Sequence, residues 1–174
     1  MSNSLTADEE IKSKILRLMD ENHNMCVATV RSDGWPQATM VGYLRKDLAI
    51  YFVVARDSQK FANIQADSRV SIALGHDAER HIRGLSIAAR AVEVTDPTEI
   101  EEVNALALDR DIMHGVFSPR KTSAALMRAT PSVISIIDLA KGPGEPELFE
   151  VEAETVLRRV QNVRGHGSDL EKRA

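Results

Sequence analysis

The sequence predicts a mainly β protein with flanking helices, built as a six-stranded antiparallel barrel, closed or split. Three observations predict it. Short β-rich runs follow one another through tight turns such as Ser32-Asp33-Gly34 and Lys46-Asp47, and consecutive strands joined this closely pair antiparallel. Leu48 to Ala55 is apolar at eight consecutive positions; a strand with one wet face would alternate, so this one needs cover on both faces. Closing such a sheet on itself removes exposed edges, and 174 residues suffice for one domain with a proper core.

The elements follow in order. Thr6-Ala7-Asp8-Glu9 is a capping box, a hydroxyl with a carboxylate three residues on. Ile11, Ile15, Leu18 and Met19 then share one helical face, and this first helix, ending near residues 22 to 24, is expected to cover an open barrel end. Met25 to Val30 is the first strand, and Gly34 sits in the turn where φ is positive. Pro36 to Leu44 returns; Gly42 within it marks a bulge or a close backbone approach. The apolar strand comes next, then a short helix carrying Phe61, Ala62, Ile64 and Ala66, then a strand from Arg69 to Gly75. Gly75 to Arg80 reads as a polar loop, and Ile82 to Thr95 as a strand long enough to bend between two sheets. Asp96-Pro97-Thr98-Glu99 is the strongest helix start: a cap, proline at the first position, and glutamate to close the box. Ser118-Pro119-Arg120-Lys121 starts another helix by the same logic. Pro131 to Leu139 is the sixth strand, Leu148 to Val151 a short edge strand, and Val156 to Val163 a weak amphipathic helix. One domain over residues 1–163 and a flexible tail over 164–174 are expected.

Composition narrows the function. Lys and Arg number 22 against 26 Asp and Glu, and aromatics make up 4%. With no basic stripe and few rings for base stacking, nucleic acid is not an expected partner. No apolar run is long enough to span a bilayer. The first residues lack the basic start and apolar middle of a signal peptide, and one cysteine, Cys26, excludes an internal disulfide. A cytoplasmic location is expected. The five histidines show no metal-binding spacing. Cys26 lies mid-strand as a small hydrophobe. The acidic clusters at Asp8-Glu9-Glu10 and Glu99-Glu101-Glu102 sit in first helical turns, where they offset the dipole. Trp35-Pro36 follows a turn and is expected to pack at the barrel rim.

Where the apolar strand ends, Arg56-Asp57-Ser58-Gln59-Lys60 delivers a hydroxyl, backbone amides and an ammonium to a helix N-terminus. Such a terminus favours phosphate, because its first amides lack intrahelical partners and the dipole is positive there. The plainer reading is that Asp57 or Ser58 caps the helix and Lys60 is solvated.

The segment D-S-Q-K-x-x-N-I, between a Y-F-V-V strand and an S-R-V-S-I strand, resembles the flavin-phosphate segment of the pyridoxamine 5′-phosphate oxidase-like FMN-binding split-barrel family, of the general stress protein type. The resemblance runs from about Asn24 to Asp138. It implies an FMN site in which Thr39, Met40 and Val41 lie along the flavin, Val53 and Val54 stand against the ring or ribityl chain, and Ser58, Gln59 and Lys60 meet the phosphate. It implies a homodimer with cofactor at the interface, and a flavin-dependent oxidoreductase taking a small molecule or a nicotinamide donor. The oxidase itself carries arginine at the Thr39 position, lysine at the Leu44 position and arginine at the Gln59 position. All three are lost here. The lysine holds the pyridoxine phosphate, so the vitamin B6 reaction is not expected. The oxidase's C-terminal aromatic and arginine have no match after Val151. Arg56, Arg120 and Lys121 are the cations available to compensate. Alternatives on the same barrel are a non-enzymatic flavin-binding stress-associated protein, a haem binder with His166 as axial ligand, a deazaflavin binder, and a cofactor-free interaction module. A phosphate at a closed helix end favours FMN over FAD.

Overall fold

The computed structural model describes residues 6–78, 81–109, 123–138, 146–152 and 156–160. Three helices and nine strands are present among them: α1 (Ala7–Asp20), β1 (Asn24–Val30), β2 (Pro36–Gly42), β3 (Leu44–Lys46), β4 (Ala49–Ala55), α2 (Gln59–Ala66), β5 (Arg69–Ala78), β6 (His81–Glu93), α3 (Pro97–Asp109), β7 (Ala124–Asp138), β8 (Glu147–Glu152) and β9 (Val156–Val160). The mainly β, antiparallel architecture is the one expected. The strand count is nine rather than six, because β2 and β3 are separate pieces of one expected strand and a β8–β9 hairpin hangs on β7.

The strand order β2-β1-β5-β6-β7-β4-β3 puts β2 and β3 at opposite ends. Yet Tyr43 alone separates them in the chain. The sheet must therefore curl until its ends meet, which makes it a barrel. Met25, Val27, Ile50, Phe52, Val54, Ile72, Ile87, Met127 and Ile134 fill its interior in one core cluster. The capping box of α1 forms as read, and Ile15, Leu18 and Met19 join that same core. The Tyr43 hydroxyl donates to the Met19 carbonyl at 2.6 Å, tying α1 to the β2–β3 junction.

The two apolar faces of β4 now have separate explanations. Ile50, Phe52 and Val54 point into the barrel. Tyr51 and Val53 point out and meet α3 in a second cluster with Leu44, Val94, Ile100, Val103, Ala107 and Leu126. Each fully buried side chain of this size contributes roughly 1.5–3 kcal/mol, taken as an upper figure.

Several local expectations change. The strand expected to start at Pro131 begins at Ala124. Its A-A-L-M composition favours helix, but pairing with β4 and β6 along its length overrides propensity. The helix expected from Ser118 falls mostly on residues outside those described. Val156–Val160 is a strand rather than a helix; it completes the open edge of β8. Residues 75–78 continue β5 instead of forming a loop. Gly42 faces no crowding, since a Cβ there would meet its neighbours at 3.8 Å. The close approach lies at the cross-strand pair Gly75–Gly84, where a Cβ on Gly84 would stand 2.3 Å from the Leu74 carbonyl oxygen. The expected bend in β6 appears as a register shift against β7 at Ala88/Ala89. It stays within one sheet, and Ala89 faces Pro131, which cannot donate to the ladder.

Candidate functional site

The split in the barrel lies between β2 and the second half of β4. Among the described residues, β2 hydrogen-bonds to β1 alone. In β4, Ala49–Tyr51 pair with β3, but Phe52–Ala55 pair with β7 alone. Two strand edges with unused backbone donors and acceptors therefore flank one cleft. Thr39, Met40 and Val41 lie on one edge and Val53 and Val54 on the other. The structure brings these sequence-predicted residues together as edges, and not as one side-chain surface. Val54 points into the core and Val53 towards α3. Met40 is 66% exposed on the outer face, while Thr39 and Val41 are half-buried. The Thr39 hydroxyl is buried and has no hydrogen-bond partner among the described residues, an arrangement folded proteins rarely leave without a reason.

Helix α2 closes the cleft at its lower end. Ser58 is its N-cap: the hydroxyl donates to the Ala55 carbonyl at 2.6 Å and accepts from the Phe61 amide at 3.2 Å. The capping reading of Ser58 is therefore correct, and a phosphate would meet the helix amides more than this hydroxyl. Gln59 turns back along the helix and donates to Asn63 Oδ1 at 2.9 Å, so its side chain points away from the N-terminus. Asn63, 2% exposed, donates to Thr29 Oγ1 at 2.9 Å and to Gln37 Oε1 at 3.1 Å. This buried network locks α2 to β1 and β2, so the helix N-terminus and the β2 edge move as one piece.

Lys60 follows. It is half-buried, and burial lowers its pKa by disfavouring the ammonium, an effect partly offset by Coulombic attraction to the Cys26 sulfur when that carries charge. It has no hydrogen-bond or ion-pair partner among the described residues. Of the compensating cations, Arg56 is committed to the Glu93 carboxylate and lies 5.7 Å from the Phe61 ring centre. Arg120 and Lys121, like His166, lie outside the described residues. Trp35 does not pack at the barrel rim: it is 69% exposed.

Sequence reading missed the polar cluster on the outer face of β4. Tyr51 and Arg128 are cross-strand partners, and both reach Glu99 of α3, at 2.8 Å each. Glu99 thus pins α3 to the sheet instead of closing a capping box, while Asp96 caps the helix through the Thr98 amide at 3.0 Å. Burial, then Glu99, push the Tyr51 hydroxyl up to about 12. Nothing in a sequence links residues so far apart. Thr29 did carry a signal: it shares strand parity with Met25 and Val27, and a polar group on an inward position needs a partner.

Comparison with known proteins bears on this arrangement. The family model described as "Pyridoxamine 5′-phosphate oxidase" matches residues 11–138. The chain belongs to that family. No curated protein sequence matches it. Among solved structures of the fold, General Stress Protein 26 from Bacillus anthracis is 20% identical with a TM-score of 0.62, covering 82% of this chain and 99% of that one. A haem-binding protein from Mycobacterium smegmatis is 17% identical with a TM-score of 0.66, covering 86% and 60%. An F420 reductase is 23% identical with a TM-score of 0.54, covering 68% and 94%. These likenesses show the fold, and the two ligands named among these neighbours, haem and F420, belong to those proteins. No helix among the described residues is long and apolar enough to cross a membrane.

Proposed function

We propose that this family member binds FMN in the cleft between β2 and β4 and acts as a flavin-dependent oxidoreductase on a small molecule other than pyridoxine phosphate. The observation that carries the reading is Lys60: a half-buried cation without an ion-pair partner among the described residues, at the start of a helix that ends a cleft flanked by two unpaired strand edges. An unneutralised, partly desolvated ammonium beside free helix amides suits a phosphate. The orphaned Thr39 hydroxyl and the backbone of Met40, Val41, Val53 and Val54 suit the polar edge of a flavin. FMN supplies the hydride chemistry when bound; the chain's part is to hold the phosphate at Lys60 and fix the ring against the two strand edges. The reading includes a homodimer with the cofactor at its interface. Val30, Trp35 and Met40, exposed at 49%, 69% and 66%, give the outer face beside the cleft an apolar character that a second copy would cover.

The test is the absorbance spectrum of protein loaded with FMN and freed of excess, for wild type and Lys60→Ala. Flavin bands retained by wild type and weakened at least tenfold by the substitution support the reading; no flavin in either protein ends it. A non-enzymatic flavin-binding protein is the second reading. It is favoured because Lys60 is the sole titratable side chain among the proposed cofactor residues. Steady-state oxidation of a reduced nicotinamide by the flavin-loaded protein separates the two.

A further inference from the structure

A second space lies behind the cleft, between α3 and the outer face of β3 and β4. It is a largely enclosed cavity of about 230 Å³. Leu44, Val53, Val103, Ala107 and Leu126 stand in its wall, together with one side-chain amide, Asn104. Gly42 and Val53 belong both to this wall and to the strands that flank the cleft, so the cavity adjoins the proposed flavin ring.

Its chemistry is one-sided. None of the described residues lining it carries a charge. Among the described residues, the charges on the neighbouring elements form ion pairs, Arg128 with Glu99 at 2.8 Å and Lys46 with Glu102 at 2.5 Å, although the buried Arg128 Nε has no hydrogen-bond partner there. Both tyrosine hydroxyls at the wall donate elsewhere, Tyr43 to the Met19 carbonyl and Tyr51 to Glu99. Tyr51 keeps its proton up to about 12, so the wall stays neutral at ordinary pH. A carboxylate, sulfonate or phosphate placed here would lose its water without gaining a cation from the described lining residues, and unpaired charge is strongly disfavoured in such surroundings. An uncharged ring loses nothing by the same transfer, and dry apolar cavities somewhat smaller than this one hold single aromatic rings.

We propose that this cavity is the substrate pocket, and that it selects uncharged one- or two-ring molecules over their anionic counterparts. The substrate role rests on the flavin reading; the ring selectivity rests on the cavity itself. The experiment uses 2-naphthol and naphthalene-2-sulfonate, which share a ring system and differ in charge at neutral pH. Binding of each to the full-length, FMN-loaded protein is measured by calorimetry, alongside flavin retention in the same samples. The expected result is that 2-naphthol binds at least tenfold more tightly than the sulfonate. Ala107→Leu, which fills the cavity, should weaken naphthol binding at least tenfold and leave flavin retention within twofold of wild type. Ala107→Val, a smaller intrusion should leucine not fold, should weaken it by an intermediate factor. Equal or tighter binding of the sulfonate overturns the proposal, as does naphthol binding that neither Ala107 variant affects. Retained flavin with no naphthol binding overturns the cavity assignment and leaves the flavin reading standing. Naphthol binding without any flavin retention overturns the substrate role and the flavin reading together.

Discussion

Replacing Asn63 by leucine should unlock α2 from the barrel. The side chain is 2% exposed and takes part in three hydrogen bonds: to Thr29 at 2.9 Å, to Gln37 at 3.1 Å, and from Gln59 at 2.9 Å. Gln59 is exposed and Gln37 half-buried, so both recover water contacts. Thr29 is 3% exposed and does not. A stranded buried hydroxyl costs about 1–3 kcal/mol, and each bond lost from a rehydrated partner about 0.5–1.5. The sum is about 2–6 kcal/mol, a large share of the stability of a domain this size. Leucine has the same heavy-atom branching as asparagine and is somewhat larger, so none of that loss comes from a cavity. Thr29→Val in the same chain removes the stranded hydroxyl. The double variant should therefore recover about 1–2 kcal/mol relative to the sum of the singles. Urea unfolding followed by circular dichroism measures this, with an unchanged denaturant slope showing that the comparison is valid. If Asn63→Leu costs less than about 0.5 kcal/mol, or if the two substitutions simply add, the network does not hold α2 in place. Flavin retention should fall in Asn63→Leu, because the helix N-terminus loses its fixed position against β2.

Three further outcomes are expected. Arg56→Met should leave FMN retention within about twofold, against the tenfold loss for Lys60→Ala, because the Arg56 guanidinium already serves Glu93; equal losses in the two variants would show that both cations face the phosphate. Gly84→Ala should destabilise by about 1–3 kcal/mol, since its Cβ would stand 2.3 Å from the Leu74 carbonyl oxygen, and an unchanged melting temperature would refute the pinch between β5 and β6. The Tyr51 phenol ionises near 10.0 when unfolded and near about 12 when folded. The folded state therefore binds more protons between those values, so stability is level below 10 and falls as pH rises towards 12; Tyr51→Phe should flatten that fall, which alkaline denaturation curves will register.

The local features of this chain were legible in its sequence because local forces make them. The Thr6 box, the Ser58 cap and the Asp96 start are side chains satisfying amides two or three residues away. The double burial of β4 followed from its unbroken apolar run, though not what would cover it. The flavin-like segment at Ser58–Lys60 was visible as a short string of residue types. What only the tertiary structure decided involves partners far apart in the chain. The strand from Ala124 has helix-forming residues and is held extended by β4 and β6. Val156–Val160 pairs with β8 instead of coiling. Glu99 leaves its own helix end for Tyr51 and Arg128, and Trp35 stays in solvent. At the cleft the sequence named Thr39 and Lys60. It could not say that Thr39 would be left with a buried unused hydroxyl, or that Lys60 would lack a counter-ion among the described residues. Periodicity reports which way a side chain points along its own element. Whether it finds a partner depends on which other elements the closed sheet brings against it.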